Sequence, residues 1–138
     1  MEAKLILYPT FLMVLLTAIL YVKNYFDNKR AYKDKQVSAD YFKTYLEIPP
    51  EKIAISQQTL KNQFELPIIF YVLISILISM NKITIFDIFF AWIFVISRYF
   101  HCYVRLSSNF VPLRARVFKI GLLILIIWWV YFIIKISI

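Results

Sequence analysis

Four long apolar runs constrain this chain more than any other feature: residues 5–22, 66–80, 85–104 and 117–138. A membrane-crossing helix needs about 20 mostly apolar residues. In hydrocarbon every backbone N–H and C=O must be satisfied within the protein, so each run is expected to be helical. A soluble domain of this length could not cover so much apolar surface: 62% of the 138 residues are hydrophobic, only 17% are charged, and the mean hydropathy is +0.70. The expected fold is all-α, a four-helix transmembrane bundle of up-down topology, in one integral membrane domain over residues 1–138. The second run is short, but residues 51–65 ahead of it contain no glycine or proline, and Pro50-Glu51 suits a helix start. One helix from residue 51 to 80 is therefore expected. The first run has Glu2 before it, no small-residue cleavage site, and continues as Tyr21-Val22-Lys23 into a charged segment, so it reads as a retained span.

The net charge of +8 is distributed by topology. If all four runs cross, one side of the membrane receives Lys23, Lys29, Arg30, Lys33, Lys35, Lys43, Lys52, Lys61, Arg105, Arg114 and Arg116. The other receives Lys4 and Lys82. The positive-inside rule puts both larger loops in the cytoplasm and both termini on the opposite side. Flanking charge of this kind needs no nucleic-acid partner; the lipid bilayer is the partner it implies. The lysine- and tyrosine-rich stretch 24–46 reads first as a solvated connector, and otherwise as an interfacial helix or loop with its tyrosines at headgroup depth. A single cysteine, Cys102, excludes an internal disulfide and a multi-cysteine metal site. There is no glycine-rich phosphate loop and no serine–histidine–acid set.

The informative residues are polar ones beside or within the apolar runs. Gln58, Lys61, Asn62 and Glu65 fall at i, i+3, i+4 and i+7, one helical stripe, with Ile53, Leu60 and Phe64 expected on the other face. Pro67 predicts a bend, because it cannot donate to the carbonyl of Gln63. In the third run Asp87, Arg98 and Arg105 project within about 20° of one another, and His101 lies on the adjoining flank. Ionisable groups at membrane depth usually face the bundle interior. Glu65 and Arg98 are the natural ion pair, either as a tie between helices or beside a ligand. Lys61, Asn62 and Glu65 with His101, Arg105 and Arg114 could form a cationic pocket for a small molecule bearing carboxylates and an amine. Arginines would take the carboxylates, Glu65 the amine and Asn62 an amide. The other readings are lipid-headgroup anchoring by Arg105, Arg114 and Arg116, and an ion path through Asp87 and Arg98.

The N-x-x-E and proline of NQFELPIIFY, the R-x-x-H of SRYFHCYVR and the N-x-V-x-x-R of NFVPLR occur in an order that resembles the MAPEG superfamily, the membrane-associated proteins in eicosanoid and glutathione metabolism. The short bacterial branch is the nearest in kind. The resemblance implies a homotrimer, placed in the bacterial inner membrane, that binds glutathione between subunits near the cytoplasmic face and acts on lipophilic small molecules. It assigns glutathione contacts to Asn62, Glu65, His101, Arg105 and Arg114, with Lys61 standing where some members have arginine. Tyr99 and Tyr103 match aromatic positions near the tripeptide, and Lys29 and Arg30 match a basic pair reaching its carboxylates. Arg114, then Arg105, are the candidates for activating the thiol, since a nearby cation stabilises a thiolate. The chain departs from the enzymes at Gln58, Phe110, Ala115 and Phe118, where arginine, arginine, serine and tyrosine occur, and at Arg105, where the short branch often has a second histidine. A catalytically silent protein that keeps the fold is the alternative.

Overall fold

The computed structural model describes residues 2–46 and 48–137, with side chains from Lys4 onward. Helices α1 (Glu2–Leu5), α2 (Leu7–Lys33), α3 (Tyr41–Thr44), α4 (Glu51–Lys61), α5 (Leu66–Ser79), α6 (Ile85–Leu106) and α7 (Val111–Ser137) account for most of it, with one 3₁₀ turn at Asn62–Phe64. Four helical stretches are long and apolar enough to cross a membrane: α2, α4 with α5, α6 and α7. The expected all-helical architecture with four spans is observed; Ile138, the expected end of the last span, lies outside the described residues.

Two spans are longer than the apolar runs. α2 continues past Val22 to Lys33, where nothing in the sequence breaks a helix and Lys23 pairs with Asp27 one turn on. It stops where Lys35 turns left-handed (φ 55°) and the Gln36 amide donates to the Ala31 carbonyl at 2.9 Å. α7 starts at Val111, with Pro112 in its first turn, so residues 107–110 suffice to join it to α6.

The continuous helix expected from residue 51 is interrupted. α4 ends at Lys61, the 3₁₀ turn follows, and Glu65 (φ −106°, ψ −99°) separates it from α5, which has Pro67 in its first turn. The proline explains the break, since its ring clashes with the carbonyl four residues back and it has no N–H to give. The tighter turn also redistributes the faces. Ile53 and Leu60 are buried as expected, but Phe64 is 49% exposed while Gln63 is buried.

The core is aromatic at its centre. Phe70 of α5 stacks on Phe94 of α6 (centroids 5.1 Å apart), and Phe90 stacks on Trp128 of α7 at 6.0 Å. Met13, Leu16 and Leu20 close it from α2. α6 and α7 run antiparallel, since Asp87 meets Trp128 near one end and His101 meets Phe118 near the other. They pack tightly at Gly121, the only glycine, where a Cβ would lie 3.1 Å from Ser97 Oγ.

Asp87 is completely buried, and its partners were not evident from the sequence. Its Oδ2 accepts from the Thr84 amide (2.8 Å), the Thr84 hydroxyl (2.7 Å) and Lys135 Nζ (2.7 Å), while Oδ1 accepts from Trp128 Nε1 at 2.9 Å. Lys135 also donates to the Lys82 carbonyl at 2.8 Å. One carboxylate thus caps α6 and ties it to the last turns of α7. Asp87→Ala should cost about 3 kcal/mol, because it strands the Lys135 ammonium and the indole N–H, and Asp87→Ala/Lys135→Met should recover part of the loss. Denaturant unfolding in detergent, followed by tryptophan fluorescence, measures both. By the same assay Gly121→Leu should cost more than about 1 kcal/mol through overpacking, and Gly121→Ala much less, since the Ser97 hydroxyl can rotate away.

Candidate functional site

At the opposite end of α6 a second polar cluster collects from three elements. The polar face expected for this helix is observed: Arg98, His101 and Arg105 are 1%, 2% and 8% exposed. Arg105 reaches α4, where Nη2 donates to Gln58 Oε1 at 2.6 Å. With the Asn62 amide turned so that its oxygen faces the guanidinium, Arg105 Nη1 donates to it at 3.0 Å and the Asn62 nitrogen donates to the Gln58 carbonyl at 3.2 Å. The 3₁₀ turn places Asn62 for this contact. It also directs Gln63 inward, where Nε2 donates to Cys102 Sγ at 3.3 Å.

Arg114, half-buried in the first turn of α7, donates to Asn109 Oδ1 at 2.6 Å. Asn109 is itself held left-handed (φ 48°), with its amide on the Val104 carbonyl at 2.9 Å, so the short α6–α7 connector fixes where Arg114 begins. Its charge acts on both His101 and Arg105. Phe118 covers the cluster on the α7 side, its ring 5.8 Å from the Arg98 guanidinium carbon and 5.8 Å from the His101 ring.

The expected Glu65–Arg98 ion pair is not made within the chain. Glu65 is exposed at the break between α4 and α5, whereas Arg98 Nε, Nη1 and Nη2 are all buried without a hydrogen-bond partner. The backbone break turns the carboxylate outward, although its charge still acts on Arg98 and Arg105. His101 Nδ1, Gln63 Oε1 and Arg105 Nε are likewise buried and unpartnered among the described residues. Unsatisfied buried polar atoms are few in folded chains, and a concentration of them around a cation marks a place where further acceptors belong.

Other site residues expected from the sequence lie elsewhere. Lys61 is exposed and lines a groove of about 500 Å³ with Asn24, Tyr45, Gln57, Gln58 and Phe64. Lys29 and Arg30 are exposed near the end of α2 beside Phe26, Lys33 and Asp34. Tyr99 donates from its hydroxyl to the Leu12 carbonyl at 2.8 Å, tying α6 to α2, and Tyr103 is 68% exposed. Within one chain, then, Asn62, His101, Arg105 and Arg114 gather with Arg98, and Glu65 stands at their edge. Lys29, Arg30, Lys61, Tyr99 and Tyr103 do not join them. Sequence reasoning missed Gln58 and Asn109 as partners of the arginines. Gln58 was visible on the polar stripe, but its match to Arg105 is a tertiary fact.

Replacing Arg105 by Met should remove the bonds to Gln58 and Asn62 and lower stability by about 2 kcal/mol, whereas Arg114→Met, at a half-exposed site, should cost less than about 1 kcal/mol. Chemical unfolding of the two variants in the same detergent checks the order.

Compared with known proteins, residues 6–134 match the model of the MAPEG family. No curated protein and no solved structure matches.

Proposed function

Because the chain belongs to the MAPEG family, we propose that it is a glutathione-dependent membrane transferase or peroxidase acting on lipophilic electrophiles that arrive through the bilayer. In this reading it is an up-down bundle assembled as a homotrimer in the bacterial inner membrane, its larger loops in the cytoplasm. The observation that carries the proposal is the cluster of Arg98, His101 and Arg105 at one end of the bundle, where the three Arg98 nitrogens, His101 Nδ1 and Arg105 Nε are buried without partners among the described residues. An anionic tripeptide offers acceptors of that kind, so the residues fit glutathione as a cosubstrate. When bound, glutathione supplies a thiol that becomes a nucleophile on losing its proton.

The chain's own residues would divide the work by charge and geometry. Arg105, braced by Gln58 and Asn62, is suited to hold a carboxylate, and Asn62 an amide. Glu65, exposed at the rim, is suited to an ammonium group. Among the described residues Arg114 makes one side-chain bond, to Asn109, and keeps donors to spare, so it is the first candidate for stabilising a thiolate, with Arg105 the second. His101, pressed against Phe118, is suited to a hydrogen bond rather than a charge. Lys29, Arg30, Lys61, Tyr99 and Tyr103 would act from a neighbouring subunit or at the margin. A water-soluble thiol and an oil-soluble electrophile meet only at an interface of this sort, and that is the physical reason for placing such a pocket at the end of a bundle.

One observation favours a second reading, a catalytically silent binding module. Phe118 lies over Arg98 and His101, where a hydroxyl-bearing side chain would have offered a proton or a hydrogen bond.

Titration calorimetry of glutathione into the detergent-purified protein tests the proposal. Binding is expected, weakened about tenfold or more by Asn62→Ala and by Arg114→Ala, the scale of one charge-assisted hydrogen bond. Absence of binding to folded, oligomeric wild type would overturn it. Binding without turnover of an aryl halide or a lipid hydroperoxide would select the silent module.

A further inference from the structure

The end of α2 builds a second feature, of which the glutathione reading uses only Lys29 and Arg30. At 1.5 Å per residue the 27 residues of α2 span about 40 Å, longer than the roughly 30 Å of hydrocarbon, so its last turns stand in the headgroup layer. There the chain reverses at Lys35 and α3 folds back. Tyr41, 1% exposed, packs with Ala31, Val37 and Ile53, and Gln57 Nε2 donates to its hydroxyl at 2.8 Å. The connector expected to be a solvated link is thus anchored to α2 and α4 by its own small core. The result is a groove of about 460 Å³ between α2 (Tyr25, Asn28, Lys29, Tyr32) and Ala39 and Phe42. Two basic hollows adjoin it, sharing Lys29 on one side and Tyr32 on the other, with Lys33 common to both.

The charges around this groove are unbalanced. Of the nearby acids, Asp27 is taken by Lys23 and Asp40 by Lys43. Lys29, Arg30, Lys33 and Lys35 make no side-chain hydrogen bond or ion pair among the described residues, and only Asp34 stands among them. Lys29 lines the aromatic groove itself, and Arg30, Lys33 and Lys35 line the hollows that adjoin it. Asn28 Oδ1, inside it, is buried and lacks a donor. We propose that this groove is a binding site for an anionic phospholipid, its phosphate on Lys29, Lys33 and Lys35 and the start of an acyl chain along Tyr25, Tyr32 and Phe42. A soluble phosphate would use the lysines and leave the aromatic floor uncovered, while a zwitterionic lipid would bring its own cation among the lysines. A headgroup hydroxyl, as in phosphatidylglycerol, also gives Asn28 its donor.

Native mass spectrometry of the detergent-purified protein, titrated with phosphatidylglycerol, phosphatidylcholine or glycerol phosphate, tests the site. Phosphatidylglycerol should bind about tenfold or more tightly than phosphatidylcholine, and glycerol phosphate should not compete. Lys33→Gln/Lys35→Gln should abolish most of that preference, on the order expected for two lysines near an anionic headgroup. Lys4→Gln, an exposed lysine on α1, should leave it intact. Equal affinity for the two lipids, or a preference that survives the double substitution, would overturn the proposal. Competition by glycerol phosphate would also overturn it, in favour of a soluble anion. Lys33 and Lys35 lie outside the glutathione cluster, so glutathione binding should be unchanged in the double variant, and either proposal can fail without the other.

Discussion

Burying an aspartate, two arginines and a histidine on one face of a helix that must cross hydrocarbon is the constraint around which the other helices are arranged. Alone, α6 would present Asp87, Arg98, His101 and Arg105 to lipid at a cost of several kcal/mol each. α7 covers that face along its length through Trp128, Gly121 and Phe118, while α4 and the 3₁₀ turn cover its far end through Gln58, Asn62 and Gln63. α2 closes the remaining side, bonded through Tyr99. The outward faces can then be plain hydrophobic surface, which asks only for lipid.

The two ends of α6 satisfy this constraint in opposite ways. Asp87 finds four donors within the chain, so its charge is a structural element that needs nothing further. Arg98 finds an aromatic ring and no acceptor. Polar groups left incomplete by their own chain are a frequent mark of places where something else binds, and here they coincide with the residues that carry the family resemblance. The closed node and the open one thus separate the part of α6 that holds the bundle together from the part whose polar groups stay unmatched.

Much of this was legible in the sequence, because hydrocarbon permits so few solutions. The four spans followed from apolar length, the shared face of Asp87, Arg98 and Arg105 from helical spacing, and the bend from Pro67. What was not legible depends on distance in space rather than along the chain. Asp87 and Lys135 are separated by a whole hairpin, and nothing local marks them as partners. Glu65 and Arg98 suggested a pair by charge alone, but the 3₁₀ turn rotates the carboxylate outward, a consequence of how one turn tightens before a proline. The order of residues 24–46 was left open by the sequence for a related reason: a polar connector acquires a core only once Ile53 of α4 is beside Ala31 and Val37.

The positions of Asp87 and Arg105 carry one more consequence. Eighteen residues of helix separate them, about 27 Å along the axis. That distance is close to the thickness of a bilayer's hydrocarbon layer. Between them the outward side of α6 is apolar, with Phe89, Ile96 and Phe100 exposed. A bilayer thicker or thinner than that band would be met by tilt of the helix rather than by moving a buried charge.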